Sequence, residues 1–196
     1  MNGKVVVNRS MSLDGFIAGP EHRMDWLADF GPDPDDLRDI AAETGAMLIG
    51  RRTDEVGESM EAEEPGSVDY PFTGPLFVLT HNPPEPPDPD VTYLSGDIVD
   101  AVAIAAGAAG GKNLEILGSN VAGQCLTRGL VDEILVYVLP VLIGDGIRFS
   151  PPELPRIDLE PLSSVRSGSV TILRFRVRRW RSVKPTHHPD TLYKVK

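Results

Sequence analysis

Short apolar runs alternate along this chain with segments whose apolar residues recur at helical spacing. Residues 4–11 open with Val5, Val6 and Val7 and read as a strand, because branched side chains suit extended backbone. Asp33-Pro34-Asp35-Asp36 is a helix start, with an Asx cap, proline at the first helical position and acids in the first turn. That helix is predicted to run to about Glu43, with Gly45 just past its end. Residues 46–49 form the next strand, and a short helix follows from Thr53. Residues 61–74 are acidic and contain Pro and Gly, so they read as a loop; residues 76–80 return to a strand.

The proline-rich stretch 82–89 cannot be a helix or a central strand and is predicted to be a stiff extended connection. Residues 91–94 form a short strand, 98–109 an alanine-rich helix, 114–117 a strand and 121–128 a helix capped by Gly129. The unbroken apolar run 134–141 is what a strand covered on both faces looks like. Val165 and residues 170–177 suggest a closing hairpin that turns at Ser167-Gly168, with Leu173, Phe175 and Val177 on one face and Arg174, Arg176 and Arg178 on the other. Strands alternating with helices imply an α/β fold: a mainly parallel sheet, helices on both faces, and antiparallel strands at one edge. One domain is expected over residues 1–180, with a basic tail at 181–196.

Composition narrows the function. The 196 residues are 41% hydrophobic and 24% charged, ordinary for a globular domain, and no apolar stretch approaches the roughly 20 residues that cross a bilayer. A single cysteine, Cys125, excludes an internal disulfide framework, and no signal-peptide pattern opens the chain, so a cytoplasmic protein is expected. The net charge of −10 argues against nucleic acid and anionic membranes. That charge is uneven: residues 174–196 hold eight basic residues and one acidic one, net +7, while residues 1–173 hold 11 basic and 28 acidic residues, net −17. The basic end reads as an arginine-faced edge strand with a tail, or as a contact for an anionic partner or an acidic surface.

The candidate chemistry sits where strands meet helices. In Leu48-Ile49-Gly50-Arg51-Arg52-Thr53 an apolar run stops at glycine and two arginines open a helix. Free backbone amides and the helix dipole make such a junction an anion site, and guanidinium groups pair with phosphate through a bidentate fork. Leu117-Gly118-Ser119-Asn120-Val121 repeats the pattern, and two such junctions can hold the two ends of a dinucleotide. Residues 12–19, with Gly15 and Gly19 around Phe16 and Ile17, form a loop able to move and to cover a flat ring. Asp14 in that loop is either catalytic or a brace for its turn. Asp25 beside Trp26 is a candidate proton donor through a raised pKa, or else a helix cap beside a core aromatic. Residues 107–112 lack the spacing and the Ser or Thr of a phosphate-binding P-loop, and neither Gly-x-Ser-x-Gly nor Gly-x-Gly-x-x-Gly is present. His187-His188 lacks a ligand set, so no metal is expected.

Taken together, the loop Ser12-Leu13-Asp14-Gly15-Phe16-Ile17-Ala18-Gly19 with Asp25-Trp26, the Gly50–Thr53 junction, and the block Gly129-Leu130-Val131-Asp132-Glu133-Ile134 followed by Pro140-Val141-Leu142-Ile143-Gly144-Asp145-Gly146 resemble the dihydrofolate reductase-like superfamily. The branch they most resemble is the reductase domain of riboflavin-biosynthesis deaminase–reductases, in a stand-alone form. The resemblance implies a three-layer α/β/α fold, a cytoplasmic homodimer and an NADPH-dependent reductase acting on a small heterocycle, pteridine-like or a ribosylaminopyrimidine. It implies Gly50, Arg51, Arg52 and Thr53 at the cofactor's phosphates, with the arginines at the 2′-phosphate. Thr80 and His81 would flank the adenosine, and Gly118, Ser119, Asn120 and Val121 would wrap the pyrophosphate. Ile17 and Ala18 would approach the nicotinamide, and Asp14 or Asp25 would contact the substrate. Two positions depart from the family pattern: Ser119 replaces a second glycine, and Asp54 replaces an aromatic. The competing expectation is a non-catalytic nucleotide- or flavin-binding module that recruits a partner through its basic C-terminal end.

Overall fold

A computed structural model describes residues 3–63 and 70–178. An eight-stranded sheet organises them, in the spatial order β5-β4-β3-β6-β1-β7-β10-β9. Its strands are β1 (Val5–Ser12), β3 (Thr44–Gly50), β4 (Leu76–Leu79), β5 (Val91–Leu94), β6 (Asn113–Ile116), β7 (Glu133–Leu139), β9 (Leu159–Ser167) and β10 (Val170–Val177). The six strands from β5 to β7 are mutually parallel, and β10 runs antiparallel between β7 and β9. A second, two-stranded antiparallel sheet pairs β2 (Phe16–Ala18) with β8 (Ile147–Arg148). The helices are α1 (Pro34–Glu43), α2 (Arg51–Glu63), α3 (Ile98–Ala108) and α4 (Ser119–Thr127).

Alternation in β1 separates two cores. Val7 joins Ala46, Leu48, Leu114 and Ile116 under α3 and α4, whereas Val6 joins Leu135, Tyr137, Leu139 and Ile172 under α1 and the turn Asp25–Leu27. Helix α3 buries Ile98, Ala101, Val102 and Ala105, an i, i+3, i+4, i+7 stripe, and Asp97 caps it by accepting from the Val99 amide at 2.8 Å. The result is the three-layer, mostly parallel dihydrofolate reductase-like architecture, closed at one edge by the antiparallel hairpin.

Several boundaries differ from expectation, each for a physical reason. Gly45 does not cap α1: Thr44 does, and Gly45 lies inside β3, where a Cβ would come within 2.0 Å of the Ala109 carbonyl oxygen. Close backbone approach, not a turn, demands that glycine. Asp33 makes no side-chain cap bond, and its amide instead donates to Ser167 Oγ at 2.7 Å. Helix α2 begins at Arg51, two residues earlier than expected, and includes 61–63, read above as loop; residues 64–69 lie outside the described residues. Strand β9 is nine residues long and mostly exposed. It is an edge strand, and it carries Pro161 beside a register shift, where a missing amide costs no ladder bond.

Arg174, Arg176 and Arg178 do share one face, but they are engaged within the chain. Arg174 pairs with Glu43 at 2.7 Å and with buried Glu133 at 3.1 Å, and Arg176 pairs with Glu160 at 3.1 Å. These arginines belong to β10, which β9 covers on its outer side, and not to an edge strand as expected, and acids of their own domain pair with them. The remaining basic residues, with the tail 181–196, fall outside the described residues.

Candidate functional site

All six parallel strands deliver their carboxyl ends to one edge, and the anticipated junctions lie side by side there. Strand β3 pairs with β6 in register Leu48↔Ile116, and the Leu117 amide donates to the Leu48 carbonyl at 3.2 Å. Gly50 therefore meets Gly118 across adjacent strands. Gly118 precedes α4 with φ +83° and ψ +142°. A Cβ on Gly118 would fall 2.3 Å from Thr53 Oγ1, and one on Gly50 would fall 3.0 Å from Val121 Cγ2. Two helix N-termini thus converge on a spot kept free of side chain at residue 118. Both add positive potential there.

At the first junction Arg51 Nε pairs with Glu55 at 2.7 Å and Arg52 Nε lies 3.7 Å from the same carboxylate. One acid between two arginines leaves a net positive charge, and both guanidinium groups are half or more exposed (52% and 69%). Among the described residues Asp54 forms no ion pair with either arginine. Burial raises its pKa, and the acids that raise it further are Glu58, Asp88 and Glu55. At the end of β4, Thr80 is buried, its amide donates to the Leu94 carbonyl at 2.8 Å, and its hydroxyl closes a turn with the Asn82 amide at 3.1 Å. His81 beside it is exposed.

At the second junction Ser119 Oγ donates to the Arg148 carbonyl at 3.1 Å, and Asn120 Oδ1 accepts from Gln124 at 2.7 Å. Val121 is buried against Gly50. The Ser119 hydroxyl therefore faces β8, where it ties the junction to the small second sheet.

That sheet corrects the expectation of a loose loop over residues 12–19. Phe16 and Ala18 are buried and paired with Arg148 and Ile147, the Arg148 guanidinium lies 4.6 Å from the Phe16 ring centre, and the Phe149 amide donates to the Gly15 carbonyl at 2.9 Å. A Cβ on Gly146 would fall 2.1 Å from the Ala18 carbonyl oxygen, so the strands approach closely. Ile17 lies between Phe16 and Ala18, half-buried. The exposed apolar groups of this region are Leu13 and Leu142, 64% and 68% accessible, on loops joined by the Leu13 amide donating to the Val141 carbonyl at 2.9 Å.

The two candidate acids are held as carboxylates. Asp14 accepts from Ser12 Oγ at 2.6 Å and from the amides of Gly144 at 2.8 Å and Ile143 at 3.3 Å. These donors favour the charged form, so its pKa falls below the ordinary value, the Ser12 bond contributing most. Asp14 braces the loop after β1 against the loop after β7. Asp25 was expected to have a raised pKa; instead Arg23, 2.7 Å away, lowers it, and the carboxylate is exposed rather than packed against Trp26. Trp26 packs into the core alone.

Sequence reasoning missed Arg9. It stands in β1 on the face of Val5 and Val7, is only 8% exposed, and donates to the carbonyls of Gly118 at 3.0 Å and Phe149 at 2.9 Å. The signal was available, since an arginine continuing a buried period-two stripe is anomalous. Also missed was Glu115, 2% exposed on the opposite face, which accepts from Thr44 Oγ1 at 2.7 Å and from the Tyr70 hydroxyl at 3.0 Å. Among the described residues no group of three or more His, Cys, Asp or Glu is arranged to hold a metal, and no helix is long and apolar enough to cross a membrane.

A mostly parallel eight-stranded sheet with helices on both faces and an antiparallel hairpin at one edge defines the dihydrofolate reductase-like fold. The chain belongs to the RibD C-terminal domain family, whose model matches residues 3–173. It is 27% identical over 150 residues to the uncharacterized protein YwjB of Bacillus subtilis, covering 75% of this chain and 82% of that one. Among solved structures it is similar to a putative riboflavin biosynthesis protein from Shewanella sp. PV-4, with a TM-score of 0.74, 26% identity and coverage of 90% and 99% of the two chains. Dihydrofolate reductase from Enterococcus faecalis, solved in complex with NADP(H) and RAB-propyl, shares the fold, with a TM-score of 0.62, 17% identity and coverage of 90% and 98%.

Proposed function

We propose that this protein is an NADPH-dependent reductase that transfers hydride to a small heterocyclic substrate, pteridine-like or a ribosylaminopyrimidine. The observation that carries the reading is the contact between the two junctions, where Thr53 Oγ1 occupies the space that any side chain at residue 118 would need. Glycine at 118 lets the two helix N-termini pack side by side, and that pair, with two exposed arginines beside it, fits a ligand with phosphates at both ends of a short span. Arg51 and Arg52 would take the 2′-phosphate, Gly50, Thr53, Gly118, Ser119, Asn120 and Val121 the pyrophosphate, Thr80 and His81 the adenosine side, and Ile17 and Ala18 the nicotinamide side. NADPH supplies the hydride when bound. The chain's own part is to orient the ring, exclude water and set the substrate against it.

The test is Arg51→Ala, titrated with NADPH and with NADH. A charge-assisted hydrogen bond is worth about 1.5–3 kcal/mol, so NADPH affinity should fall roughly 10- to 150-fold while NADH affinity hardly moves. Equal losses for both, or none, would remove the assignment.

A specific observation also favours the second reading, a non-catalytic nucleotide- or flavin-binding module. Asp14 and Asp25 are both fixed as carboxylates, so neither offers a proton near neutral pH. Under the reductase reading the proton comes from water. Tight NADPH binding with no oxidation across pterin, aminopyrimidine and quinone acceptors would select the module.

A further inference from the structure

Arg9 is a cation buried without a counter-charge. Among the described residues no carboxylate pairs with it, and its Nε finds no hydrogen-bond partner. Its neighbours are two backbone carbonyls, the Phe149 ring 4.9 Å away and the thiol of Cys125, itself pushed up to about 12 by burial and therefore neutral. Burial lowers the guanidinium to about 10, which leaves it charged at neutral pH. Burying an unpaired charge is expensive unless something compensates it.

The compensation has a direction. Arg9 Nη2 donates to the Gly118 carbonyl, which also accepts from the Ala122 amide at 3.2 Å as the first bond of α4. That carbonyl shares a trans peptide with the Ser119 amide, so the amide proton points away from Arg9. A charged donor on the oxygen polarises the peptide and strengthens the amide as a donor on the far side. The second fork, to Phe149, holds the end of β8, whose Arg148 carbonyl in turn holds Ser119. One side chain thus joins β1, the Gly118 turn and the small sheet.

We propose that Arg9 is the positioning residue of the pyrophosphate site: it fixes the Gly118–Ser119 peptide from behind, turns the Ser119 amide toward the ligand and supplies the buried charge that an anionic ligand completes. This rests on the dinucleotide reading above. The ligand would be any nucleotide with a pyrophosphate, and Arg9 would not distinguish NADPH from NADH, since it acts at the part they share.

The experiment compares Arg9→Met and Arg9→Lys with the wild-type chain in binding titrations of NADPH, NADH and 2′-AMP, with circular dichroism to confirm folding. Arg9→Met keeps the apolar stem and removes the fork. It should weaken NADPH and NADH by the same factor, about tenfold or more, and leave 2′-AMP, which has no pyrophosphate, within about twofold of wild type. Arg9→Lys retains the charge with a single-point donor and should fall between; it serves alone if the methionine variant does not fold. A folded variant that binds NADPH as wild type does overturns the proposal, and so does an equal loss of 2′-AMP, which would mark general structural damage. If the wild-type chain itself binds none of the three, the dinucleotide reading fails and this inference fails with it, a result distinguishable because it appears before any substitution.

Discussion

Gly118→Ala isolates what the junction between β6 and α4 demands of its backbone. The residue sits at φ +83° and ψ +142°, a region that residues with a Cβ rarely adopt, and holding alanine there costs about 1–3 kcal/mol. The new methyl would also lie 2.3 Å from Thr53 Oγ1. The clash falls on the end of a side chain whose Cβ is at an ordinary 3.5 Å, so rotating Thr53 relieves it at the cost of an unfavourable rotamer, about 0.5–1.5 kcal/mol. Together these give a destabilisation of about 1.5–4.5 kcal/mol, or roughly 3–18 °C in Tm for a domain of this size. Urea denaturation followed by far-UV circular dichroism measures it, with an unchanged m-value as the check that the same transition is compared. The double variant with Thr53→Ala separates the two causes. Removing the hydroxyl should recover the steric part alone, a coupling of about 0.5–1.5 kcal/mol, while the backbone part remains. If Gly118→Ala unfolds at the wild-type midpoint, or if the two substitutions add without coupling, the junctions do not touch as described and the paired N-termini no longer support a phosphate site.

Two further expectations concern buried and bracing carboxyls. Burial raises the Glu115 pKa, so its protonated form is favoured on folding; the stabilisation is complete below the ordinary value of 4.5 and is lost as pH rises through the native value. Glu115→Gln cannot ionise, so its stability relative to wild type should improve as pH rises above about 4.5 and level off once pH passes the native value, and a pH-independent difference in denaturation midpoint would refute a perturbed Glu115. Asp14 has the opposite sign: its native pKa is depressed, so its contribution is present above the ordinary value of 3.8 and disappears as pH falls through the native one. Asp14→Asn should therefore lack that part of the acid destabilisation, and amide hydrogen exchange at Ile143 and Gly144 should be faster in the variant at neutral pH; unchanged exchange would deny the brace.

The parts of the site that were legible in the sequence are those whose causes are local. An apolar run, a glycine and a helix-opening polar residue sit within six positions, so both junctions could be read, and the parallel sheet then brings them together. Features set by distant chain were opaque. Gly45 looks like a helix cap until Ala109 is found against it. Asp14 reads as either catalytic or a brace of its own turn, and nothing local shows that the amides of Ile143 and Gly144, some 130 residues on, point at it. Strand β8 has two residues and no periodicity to detect, yet without it residues 12–19 look free to move. Of strand β9 only Val165 was legible, as the partner of residues 170–177 in the closing hairpin; the rest of its nine residues, Pro161 among them, show no buried stripe, because an edge strand needs none. Asp25 shows a different failure: proximity in sequence to Trp26 says nothing of which way the carboxylate turns, and Arg23 claimed it.

Net charge misleads in the same way when it is read as a property of sites. A chain at −10 should repel a polyanion approaching from a distance. At physiological salt, however, charges beyond about 8 Å are largely screened, so what a bound phosphate meets is decided within the junctions themselves. There Arg51 and Arg52 share one acid, Arg9 has none among the described residues, and Asp54 has its charged neighbours in Glu58, Asp88 and Glu55. The acid placed one residue beyond Thr53, which would oppose a phosphate if it turned inward, is thus grouped with other acids instead. Under the proposed function the excess negative charge elsewhere would act on selection and not on affinity: it would discourage nucleic acids, whose many phosphates extend beyond one site, while leaving a single small anionic ligand to the local cations. An acidic protein with a cationic pocket is consistent once the two length scales are kept apart.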